Sequence, residues 1–362
     1  MNHKIKMAQV IERFDENHIE YYTVDLDGGN TLIVSRFGGR VIGPFDRETG
    51  ESLIWLSDAF SSRERFSELA GQGRIPIGAE RLWIAPELNF YTTKRENFDI
   101  DYHCQQGIDP GTYSIIKTGN KVSLHMYADV KAYSLPFSSK QFEVRRQVLP
   151  AANPLRFLPN TDELMKGVYY TGYRQDVFIE DLSPEKAMYL EPWLVMQVNP
   201  PGEVIIPFTG SEGFAYDDYY DPVDGTFLEI RENYAVLQGT GARKYKLAFK
   251  SANTTGRSAY LTKLDNERYL LIIKSFYNDP STPYCKEGWQ APGIRGCSLF
   301  IYNGFTRPDG VTGFVEFEHV GQTIGLDSGR DWSNSETCHW FFTGAKEALA
   351  RIMDQLLGIK YR

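Results

Sequence analysis

The sequence has little of what usually signals a cross-linked scaffold, a membrane span or a nucleic-acid surface. Only four cysteines, Cys104, Cys285, Cys297 and Cys338, occur in 362 residues, and no two form a C-x-x-C pair. So sparse a set excludes a disulfide framework and predicts free, partly buried thiols. No apolar run approaches the roughly 20 residues of a membrane-spanning helix, and the longest, Tyr269–Ile273, stops at Lys274. Lysine and arginine form no block, and the net charge is −8. A nucleic-acid binder needs clustered cations to displace phosphate counterions, so neither nucleic acid nor membrane is expected as a partner. Near the N-terminus Gln9, Glu12 and Arg13 interrupt any apolar export signal. A cytoplasmic location is therefore expected, or a periplasmic one if a signal has been trimmed. The phosphate loop and the nucleophile elbow are both missing. Gly239-Thr240-Gly241 resembles half of a dinucleotide loop, but a strand pattern follows where a helix is required. No cofactor is expected.

What is abundant is aromatic: 22 Tyr, 22 Phe and 6 Trp. Such residues suit the half-buried surface of strands, and they also stack on sugar rings. Strand patterns recur throughout. In Lys121–Val130, for instance, Val122, Leu124 and Met126 alternate with Lys121, Ser123 and His125. Turn signals such as Asp27-Gly28-Gly29-Asn30, Thr118-Gly119-Asn120 and Pro200-Pro201-Gly202 separate these segments. Helix is predicted in two places. Ser61 and Glu64 make a capping box for a short helix through Leu69. Ala345, Ala348, Leu349, Ile352, Met353 and Leu356 keep helical spacing over about 343–358, with Gly358 as the C-cap glycine. Many strands without alternating helices predict an all-β fold, a large two-sheet antiparallel β-sandwich with a C-terminal helix. No repeat or linker-like stretch interrupts residues 1–362, so a single domain is expected.

The densest chemistry lies in Gly78-Ala79-Glu80-Arg81-Leu82-Trp83-Ile84-Ala85-Pro86-Glu87. On a strand, Arg81, Trp83 and Ala85 share one face and Glu80, Leu82 and Ile84 the other. An indole offers a platform to the C–H face of a sugar, and guanidinium and carboxylate groups hydrogen-bond its hydroxyls. The same residues also fit a buried Trp with an Arg–Glu pair pinning a loop, and chemistry alone leaves both readings open. Late in the chain Glu316 and Glu318 alternate with Phe317 and His319. The carboxylate pair is the candidate general base, His319 the best-placed histidine, and His103 and His125 weaker candidates. No metal site is expected. The acidic turn of Asp217, Asp218, Asp221 and Asp224 lacks an EF-hand pattern, and Glu318-His319 with Cys338-His339 lacks zinc spacing.

The Gly78–Glu87 segment resembles the "GG-x-R-x-W-x-AP-E" signature of bacterial families in the galactose-mutarotase-like (aldose 1-epimerase-like) superfamily, with Ala79 in place of the second glycine. Arg145-Arg146-Gln147-Val148-Leu149 with Asn153-Pro154-Leu155, Trp193-Leu194-Val195-Met196-Gln197, and Phe314–His319 resemble further motifs in the same order. The resemblance spans roughly residues 20 to 330. It implies a supersandwich fold and a carbohydrate-related role, with Arg81, Trp83, Glu87, Tyr173, Arg174 and Gln197 as substrate-binding residues and Glu316, Glu318 and His319 as catalytic ones. An epimerase needs a base at the anomeric hydroxyl and an acid at the ring oxygen. Yet Tyr169-Tyr170-Thr171-Gly172-Tyr173-Arg174-Gln175 lacks the histidine of the epimerase pattern. The expectation is therefore a carbohydrate-active protein, either an epimerase-like isomerase using a Glu base or a non-catalytic carbohydrate-binding sandwich. Its partner would be a mono- or oligosaccharide, and the pattern does not specify an oligomeric state.

Overall fold

The computed structural model describes residues 4–72, 77–94, 96, 98–135, 138–184, 186, 188–209, 215–220, 222–265, 267–286, 295–306 and 312–362. Among these residues two antiparallel sheets dominate, of nine and ten strands. The nine-stranded sheet runs β1 (Tyr21–Asp25), β2 (Thr31–Ser35), β3 (Val41–Phe45), β4 (Glu80–Ala85), β9 (Glu191–Val198), β18 (Val315–Val320), β17 (Cys297–Asn303), β14 (Tyr245–Lys250), β11 (Tyr216–Asp218). The ten-stranded sheet runs β12 (Leu228–Ile230), β13 (Tyr234–Gly239), β10 (Gly202–Pro207), β15 (Arg257–Lys263), β16 (Tyr269–Phe276), β19 (Trp332–Gly344), β8 (Tyr169–Asp181), β7 (Ser138–Pro150), β6 (Lys121–Ala132), β5 (Ser114–Thr118). One apolar cluster takes residues from both sheets, including Leu82, Leu194, Phe317 and Leu247 on one side and Val144, Val177, Leu237 and Phe341 on the other. This is the β-sandwich expected from the strand patterns, and β6 buries Val122, Leu124 and Met126 as its alternation requires.

The helices depart from expectation in detail. The helix α6 (Lys346–Leu357) starts later than periodicity suggested, because β19 continues through Gly344. Its stripe of Leu349, Ile352, Met353 and Leu356 covers the outer face of the ten-stranded sheet against Ile205, Leu261, Ile273 and Phe342. Gly358 ends it at φ 68°, a left-handed turn suited to glycine. For α2 (Arg63–Gln72) the cap is Ser62, not Ser61: the Ser62 hydroxyl accepts from the Arg65 amide at 3.3 Å and donates to Glu64 at 3.2 Å. A further helix, α1 (Met7–Glu16), buries Val10 and Phe14 and was not foreseen. It follows Lys6 rather than a Ser, Thr, Asp or Asn cap, and its start is marked only by Gln9, whose side chain accepts from the Lys6 amide at 2.8 Å.

Between the sheets lies a polar band. Cross-strand register aligns Ser258, Lys274, His339 and Tyr173 across β15, β16, β19 and β8. From the opposite sheet Glu80 enters this band. It accepts from the Tyr173 hydroxyl at 2.7 Å and from the Gln175 amide, and lies 2.9 Å from His339 and 3.9 Å from Lys274. Lys274 donates to the Phe317 carbonyl at 2.8 Å, which ties β18 to β16 across the sandwich. Burial pushes the Glu80 carboxyl up and the Lys274 ammonium down to about 8, while their mutual attraction offsets part of each shift. Burial also drives His319 and His339 well below the ordinary histidine range, so both imidazoles are neutral.

The turn before β4 explains the glycines of the signature. A Cβ on Gly78, at φ 85°, would stand 2.4 Å from the Trp55 carbonyl oxygen, so only glycine fits. Ala79 follows at φ 70° and is fully buried, holding a side chain in a conformation that L-residues disfavour. Replacing Ala79 by glycine is expected to raise unfolding stability by about 0.5–1 kcal/mol in chemical denaturation, since relief of strain exceeds the added chain entropy. The Lys274 ammonium supplies a pH test. Its folded-state pKa lies below the unfolded value, so the unfolded chain binds more protons between about pH 8 and the ordinary lysine range. Stability should therefore rise with pH across that window by up to about 3 kcal/mol, and Lys274→Met should remove the rise.

Candidate functional site

Register carries the signature and the late glutamates to one place. On β4, β9 and β18, Arg81 pairs with Val195, which pairs with Glu318, and Gln197 pairs with Glu316. With the strand period of two, Arg81, Trp83, Trp193, Gln197, Glu316 and Glu318 all face away from the sandwich interior. The next strands add Phe300 and Lys246 to the same face.

Two charge clusters stand there. In the first, Arg81 Nη2 donates to Glu316 Oε1 at 2.9 Å, and Gln197 Nε2 donates to the same oxygen at 2.9 Å. The guanidinium also lies 4.2 Å from the centre of the Trp83 ring, a cation–π contact. Burial disfavours the Arg81 charge, but Glu316 outweighs it and raises the pKa. The Trp83 indole is half-buried and anchored by its N–H, which donates to Asp109 Oδ2 at 2.9 Å. Arg40, fully buried, holds the same Asp109 oxygen at 2.6 Å. Tyr91 at 5.4 Å and Trp193 at 5.5 Å extend Trp83 into an aromatic wall. The Nε of Arg81 and the Oε1 of Gln197, one donor and one acceptor, have no hydrogen-bond partner among the described residues.

The second cluster joins two carboxylates and two ammoniums. Lys246 Nζ lies 3.3 Å from Glu87 and 3.2 Å from Glu318, and Lys286 Nζ lies 3.0 Å and 3.5 Å from the same carboxylates. The Trp193 indole N–H donates to Glu318 Oε2 at 2.8 Å, and Lys286 sits 4.3 Å from the Trp193 ring and 4.0 Å from the Phe300 ring. Burial alone would push the Glu87 carboxyl up, but the two ammoniums together hold it below its ordinary value. Lys246 moves the opposite way from Lys286. Both are disfavoured by burial, yet Glu318 and Glu87 drive the Lys246 pKa up. At Lys286 burial and the neighbouring Lys246 charge prevail and lower it. Each cluster sums to zero charge, so the face combines hydrogen-bonding groups with aromatic rings without a net field.

Of the residues singled out in the sequence, Arg81, Trp83, Glu87, Gln197, Glu316 and Glu318 meet on this face. Tyr173, Arg174 and His319 do not. Tyr173 points between the sheets to Glu80. Arg174, next along β8, points outward from the ten-stranded sheet and pairs with Asp176 at 3.1 Å and Glu336 at 3.3 Å. His319 alternates with the two glutamates, so it enters the interior and bonds Thr337 Oγ1 at 2.9 Å. His103 is engaged by the Asp101 carbonyl and the Tyr133 hydroxyl, and His125 by Glu143. Lys246, on β14, is buried although Lys244 and Lys250, at alternate positions with it, suit a solvated face. Lys286 carried no local signal, because the chain-distant carboxylates of Glu87 and Glu318 bring it in. Asp217 pairs with Lys250 at 2.7 Å, while Asp221 lies outside the described residues. No group of three His, Cys, Asp or Glu among the described residues is placed to hold a metal. None of the four cysteines is joined in a disulfide, and no described helix is long and apolar enough to cross a membrane.

Comparison with solved structures gives distant likenesses. A galactose mutarotase-like protein from Clostridium acetobutylicum is 10% identical with a TM-score of 0.39, over 89% of this chain and 94% of that one. A putative mutarotase from Salmonella typhimurium is 10% identical with a TM-score of 0.36, over 91% and 94%. The 4-alpha-glucanotransferase of Thermococcus litoralis is 8% identical with a TM-score of 0.34, and the match covers 89% of this chain but only 39% of that enzyme. No curated protein sequence matches significantly. The profile of a family of unknown function, DUF6786, matches residues 11–362, and the chain belongs to that family.

Proposed function

We propose that residues 1–362 form a single saccharide-binding sandwich domain, and that the outer face of the nine-stranded sheet, around Arg81, Trp83, Gln197 and Glu316, recognises the sugar. The observation that carries this reading is the Arg81 guanidinium, held 4.2 Å from a half-buried indole and hydrogen-bonded to Glu316. A sugar ring has an apolar C–H face and a rim of hydroxyls, and this arrangement supplies a counterpart to each. The zero net charge of both clusters favours a neutral sugar over an acidic one. The ordered motifs that resemble the galactose-mutarotase-like superfamily support the same ligand class.

In the catalytic version, Glu316 is the base. It keeps some exposure, 8%, whereas Glu318 has none. Its carboxylate would take the proton from the anomeric hydroxyl as the ring bond breaks, and an acid must deliver a proton to the ring oxygen. His319 does not serve as that acid, because it faces the interior and is neutral. Non-catalytic binding is therefore the primary reading and epimerisation the second.

Calorimetric titration with neutral mono- and oligosaccharides is expected to find a ligand whose affinity falls at least about tenfold in Trp83→Ala and in Gln197→Ala. Flat titrations across the panel, or unchanged affinity in both variants, would refute the site. Polarimetry on freshly dissolved aldoses separates the two versions: anomer equilibration faster than the buffer blank, and lost in Glu316→Gln, would establish the catalytic one.

A further inference from the structure

Beneath the second charge cluster lies a carboxyl group that the recognition face does not itself use. Glu191, the first residue of β9, is fully buried. Its Oε1 accepts from the Cys285 amide and from the Thr323 hydroxyl at 2.5 Å. Thr323 in turn accepts from the Tyr284 amide at 3.0 Å. The Leu190–Ile324 bridge, bonded both ways at 3.0 and 2.9 Å, sets Thr323 beside Glu191. One carboxyl and one hydroxyl thus hold two successive amides of a segment with no strand of its own. The next residue is Lys286, whose carbonyl accepts from the Tyr219 hydroxyl at 3.1 Å and whose ammonium stands 3.0 Å from Glu87. The other oxygen, Glu191 Oε2, has no hydrogen-bond partner among the described residues.

We infer that Glu191 is a positioning residue. With Thr323 it clasps Tyr284–Lys286 to the sheet and so sets the Lys286 ammonium against Glu87 and Glu318. Its consequence for ligand affinity rests on the saccharide reading above, but the clasp itself does not. Across from Glu191 on β4 stands Ala85. The charged or titratable groups around it are Lys286, Tyr284 and the Cys285 thiol of the clasped segment, while Thr323 does not titrate. Burial raises the Glu191 carboxyl to about 7, and Thr323 and the Cys285 amide offset only part of that shift. The clasped state therefore binds a proton that an open, hydrated Glu191 releases. Closure is most favoured at and below the ordinary carboxylate range, weakens as pH rises towards about 7, and gains no further pH dependence from Glu191 above that value.

Amide hydrogen exchange of the full chain tests this directly. In the wild type the opening constant of the Cys285 amide, corrected for intrinsic exchange, should rise by up to about tenfold per pH unit from about pH 5 to about pH 7 and level off above it. Glu191→Gln, which cannot ionise, should flatten that slope. Thr323→Val, which removes a donor that favours the ionised form, should move the levelling-off to higher pH. Should Glu191→Gln fail to fold, the Thr323→Val shift still decides. A wild-type opening constant flat from about pH 5 to 7, or the wild-type slope retained in Glu191→Gln, would overturn the inference. D-galactose affinity measured over the same pH range separates the two claims. An affinity that weakens in parallel, and only with Glu191 present, supports the coupling of clasp to site. A Glu191-dependent slope with no galactose binding at any pH upholds the clasp, and the loss falls on the saccharide reading.

Discussion

The period-two alternation of β18 is the constraint on which the rest of the site depends. It sends Glu316 and Glu318 to the outer face and Phe317 and His319 to the interior, and no rotamer reverses that division. Two chemistries are thereby separated by one sheet. Outside, carboxylates meet Arg81, Lys246 and Lys286 in balanced clusters. Inside, burial presses Glu80, Lys274 and the two histidines towards their neutral forms. The Lys274 bond to the Phe317 carbonyl links the two at the residue between the glutamates.

Buried ion pairs seldom add net stability, because desolvation cancels much of the attraction, while breaking one leaves a costly unpaired charge. The outer clusters are thus better explained as devices that fix side-chain geometry than as sources of stability. Arg81 is held by Glu316 and by the indole below it, and Trp83 by Asp109, which Arg40 holds in turn. Arg81, Trp83 and Glu316 are each restrained at more than one point, so the proposed recognition would require little reordering of them on binding.

Much of the fold was legible in the sequence, because strand alternation and turn residues are local signals. The segment Lys121–Val130 became β6 with the expected faces, and the apolar stripe of α6 lies on a sheet. The helix α1 was not legible, since no Ser, Thr, Asp or Asn stands at its N-cap and its burial is set by Phe60 and Phe66 far along the chain. The site was half legible. Motif position singled out Arg81, Trp83, Glu87, Gln197 and the two late glutamates, and register brings them together. Tyr173 and Arg174 are neighbours on β8, in the other sheet, where alternation sends one to the interior and one to the far surface. Sheet membership and strand order are long-range properties, which local periodicity does not encode. The same holds for Lys246, whose strand was foreseen but whose burial follows from Glu87 and Glu318 around it.

The central claim is that a sugar contacts the outer face of the nine-stranded sheet through its aromatic wall. Indole N–H resonances test it most directly, because Trp83 donates to Asp109 and Trp193 to Glu318 within that wall. On titration with a saccharide that binds, the Trp83 and Trp193 signals are predicted to shift together and saturate, while exposed Trp332 on the other sheet stays in place. A binding saccharide that moves Trp332 and leaves Trp83 and Trp193 unchanged would contradict the account.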